Sequence, residues 1–181
     1  MSDKSAAPLR FDGRTIVLHW VTAALVVALW VLGETIDWFP KGIPRVFARS
    51  THISLGVALA LVLVARISWR FGGRPVYLSP AGSGWLDKIA TATHWLLYGL
   101  LIATVVLGIA NAWVRGDTIF NLFKIQAFDP NNKGLRESVE EWHGLAANTL
   151  LAVALFHAAA ALVHHFVWKD GVLRRMLPTR R

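Results

Sequence analysis

The chain contains four stretches of mostly apolar residues, each close to the length that crosses a lipid bilayer as a helix. They run from Ile16 to Gly33, from Ile53 to Trp69, from Ile89 to Ala112 and from Leu145 to Val167. A spanning helix needs about 20 apolar residues, and none of these stretches has the polar face of a helix on a soluble protein. The links between them are polar or contain Pro and Gly, which favour turns. The sequence therefore predicts an all-α, integral membrane four-helix bundle formed by a single domain, residues 1–181.

Composition excludes several classes of protein. Hydrophobic residues make up 55% of the 181 residues, above the range that is usual for soluble domains. The net charge of +8 comes from basic residues around the apolar stretches, which indicates membrane flanks rather than a nucleic-acid surface. The chain has no cysteine, which excludes disulfides, thiolate metal sites, iron–sulfur clusters and thioether-linked haem.

The distribution of Lys and Arg predicts that both termini lie in the cytoplasm. Of the 19 Lys and Arg residues, this arrangement puts twelve inside and seven outside, and short cytoplasmic loops carry the excess of such residues. The inside set is Lys4, Arg10, Arg14, Arg66, Arg70, Arg74, Lys88, Lys169, Arg174, Arg175, Arg180 and Arg181. The outside set is Lys41, Arg45, Arg49, Arg115, Lys124, Lys133 and Arg136. The N-terminus has no convincing signal-peptide cleavage site, so the first stretch is predicted to be retained.

Five histidines fall at two depths of the predicted bundle. His143 and His157 are 14 residues apart, close to four helical turns, which places them on one face and about 21 Å apart along the axis. His52 begins the second stretch on the outer side, at the depth of His143. His19 and His94 lie toward the inner ends of the first and third stretches, near the depth of His157. We call His52 and His143 the outer level, and His19, His94 and His157 the inner level.

Histidines paired across an apolar bundle indicate two b-type haems, each with two imidazole ligands. A haem is a large, flat, mostly apolar ring that a four-helix bundle can bury, and neutral imidazole binds its iron. Iron with both axial positions filled transfers electrons. A di-iron centre is the rival, but it needs inward-facing Glu residues, and Glu34 and Glu140 lie at stretch ends. Zinc would not explain two levels, and polar contacts between helices are the other alternative. Spacing alone leaves His19 and His94 both open as inner ligands.

A quinone site is predicted at the inner end of the fourth stretch. A quinone needs an apolar slot with one or two hydrogen-bonding groups. His164 lies seven residues after His157 on the same face, and His94 comes close to that depth. Because neighbouring residues on a helix point about 100° apart, at most one of His164 and His165 faces the same cavity. A quinone site beside the outer level remains an alternative.

Smaller predictions concern the second stretch. Gly56, one turn after His52, is predicted to make room for a cofactor. Arg66 and Arg70 close the stretch, and their long side chains can extend the charged ends to the membrane surface.

Three segments carry a resemblance to a known family. They are "LHW" around His19, "THISLG" around His52 and "EWHGLAANTLLAVALFHAAAALVHHFVWKD", which contains His143 and His157. Over nearly its whole length the chain resembles bacterial cytochrome b561, a short four-helix dihaem cytochrome of the inner membrane. The ligand layout is also similar to that of the cytochrome b subunits of membrane hydrogenases and formate dehydrogenases.

The resemblance implies which residues bind the haems and what the protein does. It implies that His19 and His157 hold the inner haem b, that His52 and His143 hold the outer one, and that these four residues are the axial iron ligands. It also implies a superoxide oxidase, which takes electrons from superoxide outside and reduces ubiquinone in the membrane. The alternative is an anchor subunit that relays electrons between a hydrogenase- or formate-dehydrogenase-like partner and quinone. A helical membrane protein without a cofactor is a third possibility.

Outer cations are predicted to attract the superoxide anion. Clustered positive charge raises the local concentration of anions and speeds their arrival. Arg45 and Arg49 precede His52, and Arg136 precedes His143, so these three are the candidate steering residues. The outer segments also contain seven Asp or Glu residues, so steering depends on local placement rather than on net charge. No obligatory protein partner is predicted, since the tails are short.

Overall fold

The computed structural model describes residues 10–72 and 84–178, and four long helices dominate them. They are α1 (Gly13–Thr35), α2 (Ile43–Gly72), α3 (Trp85–Arg115) and α4 (Lys133–Val163). Each belongs to a segment long and apolar enough to cross a membrane, which confirms the predicted four-helix membrane fold.

The helices are longer than the apolar stretches that predicted them. Polar residues continue α2 and α4 on the outer side, because helix length is limited by caps and breakers rather than by hydropathy. His52 and His143 therefore lie nine and ten residues after the first residues of their helices, Ile43 and Lys133, rather than at their beginnings.

Side chains and a glycine close the helix ends. The Asp12 carboxylate accepts a hydrogen bond from the backbone N–H of Thr15 at 3.0 Å and so caps α1. Asn132 caps α4 in the same way, by accepting from the N–H of Leu135 at 2.9 Å. At the end of α3, Gly116 adopts a left-handed conformation with φ of 67°, which glycine tolerates without strain. Local sequence thus sets where these crossings begin and end.

The bundle consists of two antiparallel helix pairs. α3 packs most extensively on α4, and α1 packs on α2, while α2–α3 and α1–α4 contacts join the pairs less extensively. The core where the pairs meet is formed by Leu29, Leu59, Leu63, Leu101 and Leu150. Leu150 lies seven residues from both His143 and His157, so this leucine layer separates the outer and inner levels. No more than 17% of the residues in any spanning window are buried, which leaves the apolar surface for lipid.

A short β-hairpin follows α3 on the outer side and was not predicted. Strand β1 (Thr118–Ile119) pairs antiparallel with β2 (Phe123–Lys124). The side chain of Ser50 in α2 is fully buried; its Oγ accepts from the N–H of Phe120 at 2.9 Å and lies 3.1 Å from the carbonyl oxygen of Thr118. This serine therefore fixes the hairpin to the outer part of α2.

Both described ends of the chain meet at the inner end of the bundle. After α4, a π-helical turn (His164–Trp168) leads to a 3-10 turn (Leu173–Met176). The indole N–H of Trp20 donates to the carbonyl oxygen of Met176 at 2.7 Å, and the N–H of Phe11 donates to that of Arg175 at 3.2 Å. An even number of crossings therefore returns the described chain to one side, and the assignment of that side to the cytoplasm stays a prediction. The orientation prediction rests partly on four cations that lie outside the described residues: Lys4, Arg74, Arg180 and Arg181.

Candidate cofactor sites

The two histidines of the outer level face each other across the bundle. His52 projects from α2 and His143 from α4, and their ring centroids are 6.2 Å apart with planes at 87°. Two imidazoles that bind one metal ion from opposite sides have their ring centroids about 6 Å apart, since each metal–nitrogen bond is about 2 Å long. The outer pair therefore has the separation of two axial ligands.

The inner level brings three histidines together. The ring centroids of His19 and His157 are 6.4 Å apart, whereas those of His94 and His157 are 5.3 Å apart. The first distance is close to the outer one, and the second is shorter than two opposed ligands of one metal require. The distances favour His19 as the partner of His157 and place His94 against their site. The assignment of these four histidines as haem ligands remains a prediction.

Glycines on neighbouring helices support both outer histidines. A Cβ atom at Gly108 of α3 would lie 3.0 Å from Cε1 of His143, and one at Gly33 of α1 would lie 3.4 Å from Cε1 of His52. Gly56, which the sequence suggested as the space-making residue, has nothing within 4 Å of such an atom. Helix packing rather than spacing along one helix selects these glycines, so a single-helix pattern missed them.

Four buried polar atoms around the outer level lack a hydrogen-bond partner among the described residues. They are His52 Nδ1, His143 Nδ1, Thr104 Oγ1 and Asn111 Oδ1. The backbone carbonyls of Leu29 and Thr104 lie beside the two rings, although neither contact reaches strict hydrogen-bond geometry. A metal-bound histidine usually donates its second ring N–H to such a carbonyl. These surroundings fit two rings whose other nitrogens bind a cofactor between them.

No three His, Asp or Glu side chains in residues 10–72 and 84–178 are grouped as a site for a bare metal ion. Facing pairs of histidines suit a haem instead, because the porphyrin ring supplies the remaining ligands of its iron.

Three arginines near the outer level are paired with acids. Arg45 lies 3.1 Å from the carboxylate of Asp37, and Arg49 lies 3.6 Å from that of Asp117. Arg115 lies 3.7 Å from Asp117 and also contacts Glu140, at 2.5 Å. Burial raises the pKa of Asp117, although the two neighbouring arginines oppose this rise. The placement of Arg45 and Arg49 beside acids reduces the free charge on which the steering prediction depends.

A polar cavity adjoins the beginning of α4. It has a volume of about 220 Å³ and is lined by Arg115, Lys133, Arg136, Glu137 and Glu140. Arg136 has no carboxylate within ion-pair distance in the described parts of the chain, and it lies seven residues before His143. Of the three predicted steering residues, Arg136 is therefore the one whose charge is least compensated.

The predicted quinone-side histidine has an acidic partner. His164 Nδ1 pairs with the carboxylate of Asp170, and its ring contacts that of Trp168 with centroids 4.4 Å apart. Burial raises the pKa of Asp170, but the hydrogen bonds from His164 and from the N–H of Val172, together with the charges of His164 and Arg175, leave that pKa below its usual value. His165 points elsewhere and lines a cavity of about 210 Å³ with Lys169 and Arg174. The two adjacent histidines have different surroundings, as their helical positions predict.

Arg66 of α2 contacts the inner level, which the sequence did not indicate. Arg66 Nε donates to the hydroxyl of Tyr98 at 3.1 Å, and its Nη2 lies 3.4 Å from His19 Nδ1. Its guanidinium therefore lies against the inner level. Hydropathy could not reveal this, because it does not specify which side of α2 faces the bundle.

Comparison with known proteins gives a consistent assignment. The family model for prokaryotic cytochrome b561 matches residues 10–179. Cytochrome b561 homolog 1 of Escherichia coli strain K12 is 30% identical over 174 residues, 95% of this chain and 99% of that protein. A protein named probable superoxide oxidase CybB, from Yersinia pestis, is 32% identical over 92% of this chain and 94% of its own length. Cytochrome b562 of Cereibacter sphaeroides is 32% identical over 91% of this chain and 93% of its own length.

Proposed function

The chain belongs to the prokaryotic cytochrome b561 family, a family of membrane proteins that bind haem b, and we propose that it is a superoxide:ubiquinone oxidoreductase with two haems. Family membership and four spanning helices identify a multi-pass protein of the bacterial inner membrane. The activity is proposed on the likeness to the probable superoxide oxidase of Yersinia pestis and on the arrangement of the histidines.

The observation that carries the proposal is the repetition of one facing histidine pair at two depths. His52 and His143 would hold the outer haem, and His19 and His157 the inner one, with ring separations of 6.2 and 6.4 Å. The two α4 ligands are 14 residues apart, which is about 21 Å along the helix. Haem iron held by two imidazoles supplies one-electron transfer without an open coordination position. The bundle would thus provide two electron-transfer sites in series across the membrane.

The proposed reaction balances electrons and protons. Two superoxide anions each lose one electron and become dioxygen, and one ubiquinone takes up the two electrons and two protons to become ubiquinol. We propose that both termini are cytoplasmic, which puts the outer level on the periplasmic side. Superoxide would then act beside the outer level and ubiquinone at the inner end.

Superoxide would approach through the polar cavity at the beginning of α4. Arg136 and Lys133 line it together with Glu137, and Arg115 contributes a charge that Glu140 and Asp117 partly offset. Positive charge in a concave surface concentrates small anions. Arg45 and Arg49 would contribute less than Arg136, because each faces a carboxylate.

Ubiquinone would bind near the inner end of α4. His164 and its partner Asp170 would exchange protons with the bound quinone. His94 lies beside the inner pair and offers a polar group on the bundle side. A quinone reduced there would take its protons from the side on which both described chain ends lie.

The test uses purified protein in detergent. Haem is quantified per chain, and oxidised protein is mixed with pulse-generated superoxide in the presence and absence of a soluble ubiquinone analogue. We expect two low-spin b haems per chain, rapid haem reduction by superoxide, and reoxidation by the quinone. One haem per chain, or haems that ignore superoxide and accept electrons from a co-purifying dehydrogenase, would contradict the proposal; the second result identifies an anchor subunit.

A further inference from the structure

Arg66 occupies on α2 the place that corresponds to an inner ligand. It follows His52 by 14 residues, the same interval that separates His143 from His157 on α4. At 3.6 residues per turn this interval keeps one helical face toward the bundle over about 21 Å. α4 therefore presents a histidine at both levels, whereas α2 presents a histidine at the outer level and an arginine at the inner level.

The guanidinium of Arg66 is held inside the histidine cluster. Its Nε donates to the Tyr98 hydroxyl at 3.1 Å, and its central carbon lies 5.2 Å from the centroid of the Tyr98 ring. The charge is close enough to act on all three inner histidines, His19, His94 and His157. Arg66 is half-buried, so water screens its charge less than that of a surface side chain.

This cation has no anionic partner in the described part of the chain. Ion pairs among residues 10–72 and 84–178 neutralise Arg45, Arg49 and Arg115 at the outer level, but none involves Arg66. Charged side chains within spanning segments almost always face a partner, because an unpaired charge in a low-dielectric bundle is costly. An anionic partner from outside the described residues would compensate this charge.

The contact between Arg66 and His19 would change if His19 bound iron. An arginine can only donate, so His19 Nδ1 must accept in the contact at 3.4 Å. A neutral imidazole that binds iron through Nε2 carries its proton on Nδ1 and cannot accept there. Arg66 would then need another acceptor, and a b-type haem provides two carboxylates.

We propose that Arg66 binds a carboxylate of the inner haem and that its charge raises the reduction potential of that haem relative to the outer one. This inference rests on the proposed function, in which two haems are held by the histidine pairs. A fixed positive charge favours the reduced, less positive iron, and the effect is larger in a low-dielectric site. The outer arginines have less effect, because Asp117 and Glu140 offset their charges. Electrons would consequently move from the outer level to the inner level.

The experiment compares the haem potentials of four variants in the full-length dihaem protein. Arg66→Gln removes the charge, and Arg66→Lys retains it without the planar fork. Arg70→Gln removes a neighbouring cation that acts on His94 but not on His19 or His157, the proposed ligands. Arg14→Gln is the matched control, because Arg14 lies at the same inner end but is 4.5 Å above the Trp69 ring. Potentials are read optically against redox mediators, so they do not depend on superoxide or quinone activity.

We expect Arg66→Gln to lower the potential of one haem by at least about 59 mV, which is a tenfold change in its one-electron equilibrium, and to leave the other nearly unchanged. Arg66→Lys should lower it less, Arg70→Gln less again, and Arg14→Gln not at all. Infrared difference spectra with haem labelled at its carboxylates should show a redox-linked carboxylate band that shifts in Arg66→Gln.

Unchanged potentials in Arg66→Gln, or an equal shift in Arg14→Gln, would overturn the inference. If Arg66→Gln fails to assemble, Arg66→Lys decides through the carboxylate band. A shifted band with a potential close to or slightly below the wild-type value supports the inference, and an unshifted band contradicts it, because the donor to that carboxylate has changed. Failure of the proposed function is a separate result, because it would appear as a wild-type protein without two haems or without superoxide activity.

Discussion

The outer and inner levels repeat one geometry in opposite electrostatic settings. At both levels two histidines face each other at nearly equal separations, 6.2 and 6.4 Å. Around the outer pair, arginines are paired with Asp117, Glu140 and Asp37. Around the inner pair, Arg66 contacts only Tyr98 and histidine among the described residues. The comparison teaches that helix periodicity can duplicate a cofactor site, while the remaining charges distinguish the two copies.

Removal of a ligand should give the largest effect and should separate the two levels. We expect His52→Ala or His143→Ala to lose the outer haem and His19→Ala or His157→Ala to lose the inner one, because an axial bond and a supporting side chain are removed together. Haem per chain should fall from two to one. The outer-ligand variants should lose the absorption of the outer haem, and the inner-ligand variants should lose that of the inner haem. His94→Ala is the matched control and should retain both haems. Loss of a haem in His94→Ala but not in His19→Ala would show that the inner pairing is wrong.

A proton-transfer defect should be confined to the inner end. We expect His164→Ala to slow ubiquinone reduction by about a hundredfold, the lower end of what a positioned proton donor contributes. Haem reduction by superoxide should be unchanged, since the outer level is not altered. Asp170→Asn should have a smaller effect, because His164 remains. A wild-type rate of quinone reduction in His164→Ala, with both haems present, would move the quinone site elsewhere, and the outer level is the first alternative.

The glycines behind the outer histidines should sharpen the comparison within that level. A methyl group at Gly108 would come 3.0 Å from His143, whereas one at Gly33 would come 3.4 Å from His52. We expect Gly108→Ala to destabilise retention of the outer haem by about 1–3 kcal/mol, the usual range for overpacking. Gly33→Ala should have less effect. Thermal loss of the outer haem spectrum measures this, and Gly56→Ala is the control with open space. If Gly108→Ala and Gly56→Ala lost the outer haem at the same temperature, this explanation of the close contact with His143 would be contradicted.

Changes to the outer charges should alter the rate of reaction with superoxide only slightly, and two variants should alter it in opposite directions. We expect Arg136→Gln to slow the reaction of superoxide with the haems a few-fold, because one uncompensated cation is lost. Asp117→Asn should speed it, since Arg49 and Arg115 lose their counter-charge. The raised pKa of Asp117 predicts the same change on acidification, because its carboxylate takes up a proton at a higher pH than the ordinary value of about 3.9.

A salt series supplies the check on steering. The Debye length falls from about 30 Å at 0.01 M to about 8 Å at 0.15 M, so an attracted anion should react more slowly as salt rises. Arg136→Gln should flatten this dependence, Asp117→Asn should steepen it, and Arg45→Gln should change it little. Rates that ignore both salt and Arg136 would remove the steering hypothesis while leaving the haem assignments in place.

The fold and the histidine levels were predictable because both depend on local periodicity. Four apolar stretches of near-spanning length allow little besides a helical bundle, and the interval from His143 to His157 fixes a common face. The side chains around those histidines depend on which helices become neighbours, and hydropathy does not encode that. Gly33 and Gly108 matter because α1 lies behind His52 and α3 behind His143, whereas the sequence suggested Gly56 on the same helix as His52.

The positions of the charged side chains were the feature of the site that the sequence predicted least well. Residue counts gave a nearly neutral outer side but could not show that Asp117 is shared between Arg49 and Arg115. That arrangement depends on the loop after α3, whose hairpin is fixed to α2 through Ser50. Arg66 illustrates the same limit at the inner level, because an arginine near a helix end can extend to the membrane surface or turn into the bundle. Its contact with Tyr98 requires the packing of α2 on α3.

The most direct test of the two-level account is the reaction of superoxide with single-haem variants. Oxidised His157→Ala, which is expected to retain the outer haem alone, and oxidised His143→Ala, which is expected to retain the inner haem alone, are each mixed with pulse-generated superoxide, and haem reduction is followed optically. The account predicts reduction of the outer haem in His157→Ala at close to the wild-type rate and little reduction of the inner haem in His143→Ala. Reduction of the inner haem in His143→Ala at the wild-type rate, with no reduction in His157→Ala, would contradict entry of electrons at the outer level.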